Sequence, residues 1–204
     1  MNQKISCLCD NSFSVEFPGE IDLDQRPEYL NEIMDGSFMN YTCPSCGKKH
    51  KPEFSLILLW PSRKIRFEIL PELERGEFYR RKKDPPGTET LIGYPEMADR
   101  LALIRDGLEP AVVEALKYYL LLKAEENYPD SDISVWYQAK GPESIEFHLH
   151  GIREGEVAVS RVPLAVYEKT LEDFHKHPRG EIYRSLRYRS YLSVQNMIHP
   201  EGLK

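Results

Sequence analysis

The chain has 204 residues, a formal net charge of −6 and 41 % hydrophobic residues. That suits one large soluble domain or two small ones, and the acidic balance argues against a general nucleic-acid binder, whose affinity comes from neutralising phosphates. The longest apolar run, Leu56-Ile57-Leu58-Leu59-Trp60, is too short to cross a bilayer. With no signal-peptide pattern at the N-terminus, a cytoplasmic protein is expected.

Residues 4–6 and 12–17 read as strands, since Phe13, Val15 and Phe17 alternate with Ser14 and Glu16. Their tight connection carries Cys7 and Cys9. Pro27 opens a short helix over 28–35, which Gly36 ends. A strand over 38–42 leads to Cys43 and Cys46, and the run Lys48-Lys49-His50-Lys51 precedes strands over 54–59 and 64–70. The composition shifts at Glu72. Residues 74–90, charged and holding Pro85-Pro86-Gly87, read as a linker or exposed loop.

A helical half follows. Pro95 starts a helix with Met97, Leu101 and Ile104 on one face, and Asp106-Gly107 stops it. Glu109-Pro110 opens a longer helix to about residue 127, with Val112, Leu116, Tyr119 and Leu122 as its apolar face. Strands are expected over 133–137, 144–150 and 156–162. In the second of these, Ile145, Phe147 and Leu149 oppose Glu146, His148 and His150. Pro163 begins a helix carrying Leu164, Tyr167, Leu171 and Phe174, and a last helix is expected over 181–197.

All four cysteines lie in the first quarter of the chain, as the pairs Cys7/Cys9 and Cys43/Cys46. In a reducing compartment such pairs bind metal or do redox work more often than they form structural disulfides. A Cys-x-x-Cys turn followed by Gly has the form of a zinc knuckle, so the expected cofactor is Zn2+ held by Cys7, Cys9, Cys43 and Cys46. Four protein ligands would close the site and make it structural. Lys48 and Lys49 are placed to offset the negative charge of a tetrathiolate centre. Two features depart from an ordinary ribbon: the first pair is one residue tighter than usual, and the gap between pairs exceeds the usual ~15–20 residues. The rival readings are redox chemistry at Cys43-Pro44-Ser45-Cys46 and inert thiols. No helix is expected to open at Cys46, so the dipole that activates redox thiols is missing.

With these pairs in place, the chain resembles the bacterial CpXC-domain family, named for paired Cys-Pro-x-Cys motifs. The carriers are Cys7 and Cys9, Asp35-Gly36-Ser37-Phe38, Thr42-Cys43-Pro44-Ser45-Cys46-Gly47 and Leu103-Ile104-Arg105-Asp106-Gly107-Leu108. Cys7-Leu8-Cys9 departs from the name motif. The resemblance covers roughly residues 4–125 and implies a zinc-ribbon-like module without specifying an activity.

Other residues invite chemistry but have plainer readings. His50 could replace a cysteine ligand, yet four thiolates already fill a tetrahedral shell. His148 and His150 share a strand face with no linked carboxylate or thiol cluster, and His175 and His177 suit a helix C-terminus. Arg80, Arg81, Lys82 and Lys83 could contact phosphate, as could Arg184, Arg187 and Arg189 interleaved with Tyr183, Tyr188 and Tyr191. The plainer accounts are a solvated loop and an amphipathic helix whose tyrosines pack inward. No phosphate-binding glycine loop, nucleophile elbow or His-Glu-x-x-His occurs.

The sequence therefore predicts an α+β protein. A β-rich zinc-ribbon-like module over 1–73 precedes a linker over 74–90. An α+β region over 91–204 follows, with several helices and a small antiparallel sheet. The expected function is a non-enzymatic adaptor that docks a protein partner. The alternatives are a nucleic-acid-binding zinc ribbon and an enzyme with a site in 91–204. No catalytic residue is assigned and no membrane association is expected.

Overall fold

The computed structural model describes residues 1–198. It is α+β, and its internal contacts divide the chain into Met1–Ala98 and Asp99–Lys204. The boundary falls inside a helix, Tyr94–Arg105.

In the first unit, β1 (Asn2–Ser6) and β2 (Ser12–Glu16) form an antiparallel hairpin in register Asn2↔Glu16 to Ser6↔Ser12. Then come β3 (Glu20–Asp22), α1 (Glu28–Asp35), β4 (Tyr41–Thr42) and β5 (Lys49–His50). They are followed by β6 (Leu56–Trp60), β7 (Ile65–Leu70), α2 (Arg75–Arg80) and β8 (Glu89–Ile92). Strands β8, β7, β6 and β3 lie side by side in that order. The β6–β7 pair is antiparallel, while β3–β6 and β7–β8 are parallel. Parallel neighbours need a crossover connection. Between β3 and β6 that crossover is α1 plus the β4–β5 hairpin, so the second cysteine pair sits in an excursion from the sheet. Ile21, Leu58, Phe67, Ile69, Leu91 and Ile92 are buried on these strands.

Two expectations need correcting here. Only Tyr41–Thr42 of the strand expected over 38–42 is extended. Gly36 caps α1 in the left-handed region, the Phe38 N–H returns to the Glu32 carbonyl at 2.9 Å, and Met39 takes a positive φ of 55°. The apolar residues there serve a helix stop, with Phe38 buried against Tyr29 and Tyr94. Likewise 74–90 is not a bare connection. It contains α2, whose Phe78 is buried, and the start of β8. Arg81 lies over the Phe78 ring and pairs with Glu68 at 2.8 Å and Asp84 at 2.9 Å. The charges in this stretch are partly internal pairs, which composition could not distinguish from solvated ones.

The helix across the boundary is α3 (Tyr94–Arg105), ended at Gly107 with φ +72°. The second unit continues with α4 (Pro110–Asn127), which starts on an Ala111 N–H bond to the Glu109 carboxylate. Strands β9 (Ser134–Lys140), β10 (Ser144–His150) and β11 (Ala158–Pro163) form an antiparallel sheet with β10 central. Ile145, Phe147 and Leu149 point into its core as their alternation requires. Helix α5 (Leu164–Lys176) follows. The long helix expected over 181–197 is broken into α6 (Glu181–Ser185), a hairpin β12 (Arg187–Tyr188) and β13 (Tyr191–Leu192), and α7 (Gln195–Ile198). Arg189 turns the hairpin with φ +57°. The break is held by tertiary partners. The Asn196 amide bonds the Leu186 carbonyl at 2.9 Å, and the Arg100 guanidinium bonds the Leu192 carbonyl at 2.7 Å.

Helix α4 is central to this unit, but its buried surface is not the expected stripe. Val112 and Leu116 are buried, whereas Tyr119 and Leu122 are exposed. Its first two turns are enclosed nearly all round, charged residues included. Lys117 Nζ bonds Asp99 at 2.5 Å and Glu114 at 2.9 Å, and Arg100 lies 3.8 Å from Glu114. The remaining carboxylate oxygens accept the Tyr137 N–H at 2.6 Å and the Val194 N–H at 2.7 Å. Two acids, two bases and two backbone groups are thus paired out of water, as buried charges must be, although the Arg100 Nε is buried without a hydrogen-bond partner. Burial raises Glu114, but Lys117 and Arg100 outweigh it and hold its carboxyl below the ordinary range. Burial also raises Asp99, and there Lys117 alone does not overcome it.

Candidate metal centre

The Cys7/Cys9 pair sits in the turn of the β1–β2 hairpin and the Cys43/Cys46 pair in the turn of β4–β5. The two turns are made alike. In the second, the Cys43 N–H donates to the Lys48 carbonyl at 2.9 Å and the Gly47 N–H to the Cys43 carbonyl at 2.9 Å. Gly47 has φ +72°, the conformation that glycine adopts without steric cost. In the first, the Cys7 N–H donates to the Asn11 carbonyl at 2.8 Å and the Asp10 N–H to the Cys7 carbonyl at 3.0 Å. There Asp10, with φ 63°, takes the left-handed position directly after the second cysteine. The tighter Cys-x-Cys spacing is therefore a turn closed one residue earlier, with the same handedness at the same place.

Tertiary contacts bring the hairpins together. The Tyr41 hydroxyl on β4 donates to the Glu16 carbonyl on β2 at 2.8 Å, and the Phe13 ring meets His50 edge-on at 5.8 Å. Phe17 stacks on Phe54 at 4.1 Å, with Tyr41 against the same ring. As a result the four sulfurs lie within 4.8 Å of one another. Cys7 Sγ is 3.5 Å from Cys46 Sγ, and Cys9 Sγ is 3.7 Å from Cys43 Sγ. Four thiolates about 2.3 Å from a tetrahedral ion would stand about 3.8 Å apart. The donor set and the spacing fit a single thiolate-bound metal. Cys7 and Cys43 are buried and Cys9 and Cys46 exposed, one of each per hairpin.

The surroundings favour negative charge on Cys43 and oppose it on Cys46. Burial pushes the Cys43 thiol up, but the N–H groups of Cys46 and Ser45 and the Asn11 amide, 3.6 Å away, outweigh it and bring its pKa down to about 6. For Cys46 the Lys48 N–H lowers the pKa, yet the neighbouring Cys9 and Cys7 thiols carry it up to about 12. Thiolates this close repel one another. A divalent cation removes that repulsion. A strand, β5, follows Cys46, so neither sulfur of this pair sits at a helix N-terminus.

Among the described residues these cysteines form the one cluster of three or more metal-ligating side chains. His50 lies on β5, with its Nε2 buried and without a hydrogen-bond partner. His148 is 3.4 Å from Glu146, and His150, His175 and His177 are exposed. Of the basic residues singled out, Arg81 is engaged internally, and Arg80, Lys82 and Lys83 flank it at the end of α2. Tyr183 and Tyr191 are buried, Arg184 and Arg187 exposed, and Arg189 lies over the Tyr188 ring. Sequence reading missed Asn11, Asp10 and Tyr41 as supports of the centre. An Asn or Asp beside a cysteine pair is too common in turns to stand out. It also missed the Asp99–Glu114–Lys117 cluster, whose one trace was an i, i+3 acid–base pair within an apolar helix.

Two cysteine-bearing hairpin turns converging on one tetrathiol cluster, in an α+β chain, define a cysteine-centre protein of the knuckle type. The profile of the CpXC protein family matches residues 5–117, and the chain belongs to that family. An uncharacterized protein of Treponema pallidum (strain Nichols) is 30 % identical over 219 residues, covering 95 % of this chain and 97 % of the relative. No solved structure matches. Among the described residues no helix is long and apolar enough to cross a membrane.

Proposed function

We propose that Cys7, Cys9, Cys43 and Cys46 hold one Zn2+ in a closed structural site, and that the protein is a cytoplasmic, non-enzymatic adaptor that docks a protein partner. The observation that carries the reading is the convergence of all four sulfurs within 4.8 Å. An all-sulfur tetrahedral set selects zinc or iron among the common metals, and zinc is the one used for folding without redox chemistry. Four protein ligands leave no position for water or substrate, which speaks for a structural role. Bound there, the ion would contribute folding free energy by joining two hairpins that are distant in sequence. Division into a metal-stapled unit and a second unit with its own core suits a docking protein.

Elemental analysis of native protein with thiol titration tests the metal. One zinc per chain and four thiols that react only after chelation is the expected result; iron, or four freely reactive thiols, refutes it. Cross-linking in intact cells tests the adaptor role. It should trap a stoichiometric protein partner, and a chain recovered alone at native concentration would end that reading.

A further inference from the structure

The second unit carries a groove that the metal centre does not involve. It lies between α4 and α5, has a volume of about 690 Å3, and is floored by Leu116, Leu120 and Val162. Its lips are apolar and open to water: Tyr119 is 54 % and Val166 44 % exposed. Leu116, Tyr119, Leu120 and Lys123 recur at three- and four-residue spacings, so they line one face of α4 over about 10 Å. Two cations stand in the same groove, Lys123 on α4 and Lys169 on α5. Neither has a carboxylate within ion-pair distance among the described residues; on α5, Glu172 pairs with Lys176, and Asp173 lies 3.3 Å from His177. Asp173, the one acid lining the groove, also accepts the Tyr183 hydroxyl at 3.3 Å.

An apolar lane with uncompensated ammonium groups is complementary to a molecule with a tail and an anionic head. We propose that the α4–α5 groove binds a single-chain alkyl carboxylate, its tail along Leu116, Leu120 and Val162 and its carboxylate at Lys123 and Lys169. The volume lies within the range of small-molecule sites, which are mostly apolar with a few placed polar groups. The lysines supply charge-assisted hydrogen bonds, which are stronger than neutral ones. The tail removes exposed apolar surface from water.

The test uses decanoate below its micelle concentration, hexanoate as the short chain, and decyltrimethylammonium as the cationic twin. Titrations are followed by amide chemical shifts on the full chain. Decanoate should bind at least tenfold tighter than either companion, with shifts confined to α4, α5 and β11. Lys123→Ala with Lys169→Ala should weaken decanoate about tenfold and should strengthen rather than weaken the binding of the cationic twin, whose repulsion by the two ammonium groups is gone. Both side chains are exposed, so an unchanged Tm is expected and certifies the fold. Absence of decanoate binding up to millimolar concentration, equal binding of the cationic twin, or shifts located elsewhere would each overturn the proposal. So would selective binding of an acidic amphipathic peptide to this groove where decanoate fails, which would make it a helix-docking surface. The readouts are independent of the metal centre.

Discussion

Replacing Lys117 by Met should show what the buried charge cluster is for. Met keeps the unbranched stem and fills much the same space, so the change removes the ammonium and little packing. Lys117 is the cation nearest to both acids, at 2.5 Å from Asp99 and 2.9 Å from Glu114. Without it Glu114 faces Arg100, 3.8 Å away, and still accepts the Val194 N–H. Asp99 keeps only the Tyr137 N–H. Breaking a buried pair by deleting one partner costs about 3–5 kcal/mol, a large share of the ~5–15 kcal/mol that holds a typical domain together. The loss should depend on pH in a definite direction. Asp99 is already held above its unfolded value, and removing Lys117 raises it further. A carboxyl with a raised folded pKa favours folding below its unfolded pKa of ~3.9, and that contribution disappears as pH rises through the folded value. The variant's deficit should therefore be full at pH 7.5 and shrink toward pH 4.5. Urea unfolding followed by circular dichroism at the two pH values measures it. The further change Asp99→Asn in the Lys117→Met background should recover at least ~1 kcal/mol, as groups in contact are coupled. A loss below ~1 kcal/mol, or one equal at both pH values, would refute the account of the cluster.

Other outcomes are equally specific. Chelation should lower the Tm of the wild type but leave that of Cys43→Ser nearly unchanged, since the variant has already lost a ligand; calorimetry with and without chelator compares them. Metal loading should release protons and weaken as pH falls, which titration calorimetry in buffers of different ionisation enthalpy would read as a buffer-dependent heat. Gly151→Ala should cost about 3 kcal/mol in urea unfolding, because a Cβ there would fall 1.8 Å from the Asp132 carbonyl oxygen and φ is +87°. Burial raises the Asp106 carboxyl, but Arg105 and the Tyr137 hydroxyl outweigh it and hold it below its ordinary value. Its contribution is thus present above the unfolded pKa and lost as pH falls through the lower folded value. Tyr137→Phe should remove part of that acid sensitivity in unfolding curves between pH 2 and pH 5.

Local rules made much of the fold legible. Alternation placed β2, β7 and β10, because a half-buried strand must repeat every two residues. Pro and Gly bounded α1, α3 and α4, because each restricts or frees φ wherever it stands. They failed where a long-range partner overrides local preference. The Arg–Tyr stretch has helical spacing, yet Asn196 and Arg100 capture the Leu186 and Leu192 carbonyls and hold a hairpin in it. The face of α4 was misread because Glu114 and Lys117 count as polar in any periodicity and become buried only when Asp99 and Arg100 arrive beside them.

The candidate centre divides in the same way. Which residues are candidate ligands, and that each pair sits in its own turn, follows from the chain alone, since a spacing of one or two residues forces two sulfurs onto one bend. That the bends meet does not follow from it: thirty-three residues separate Cys9 from Cys43, and no local rule spans that distance. Tyr41 on Glu16, Phe13 on His50 and Phe17 on Phe54 decide the meeting. Contacts between side chains remote in sequence exist only once the backbone has folded, and they turn two ordinary hairpins into one tetrathiol site.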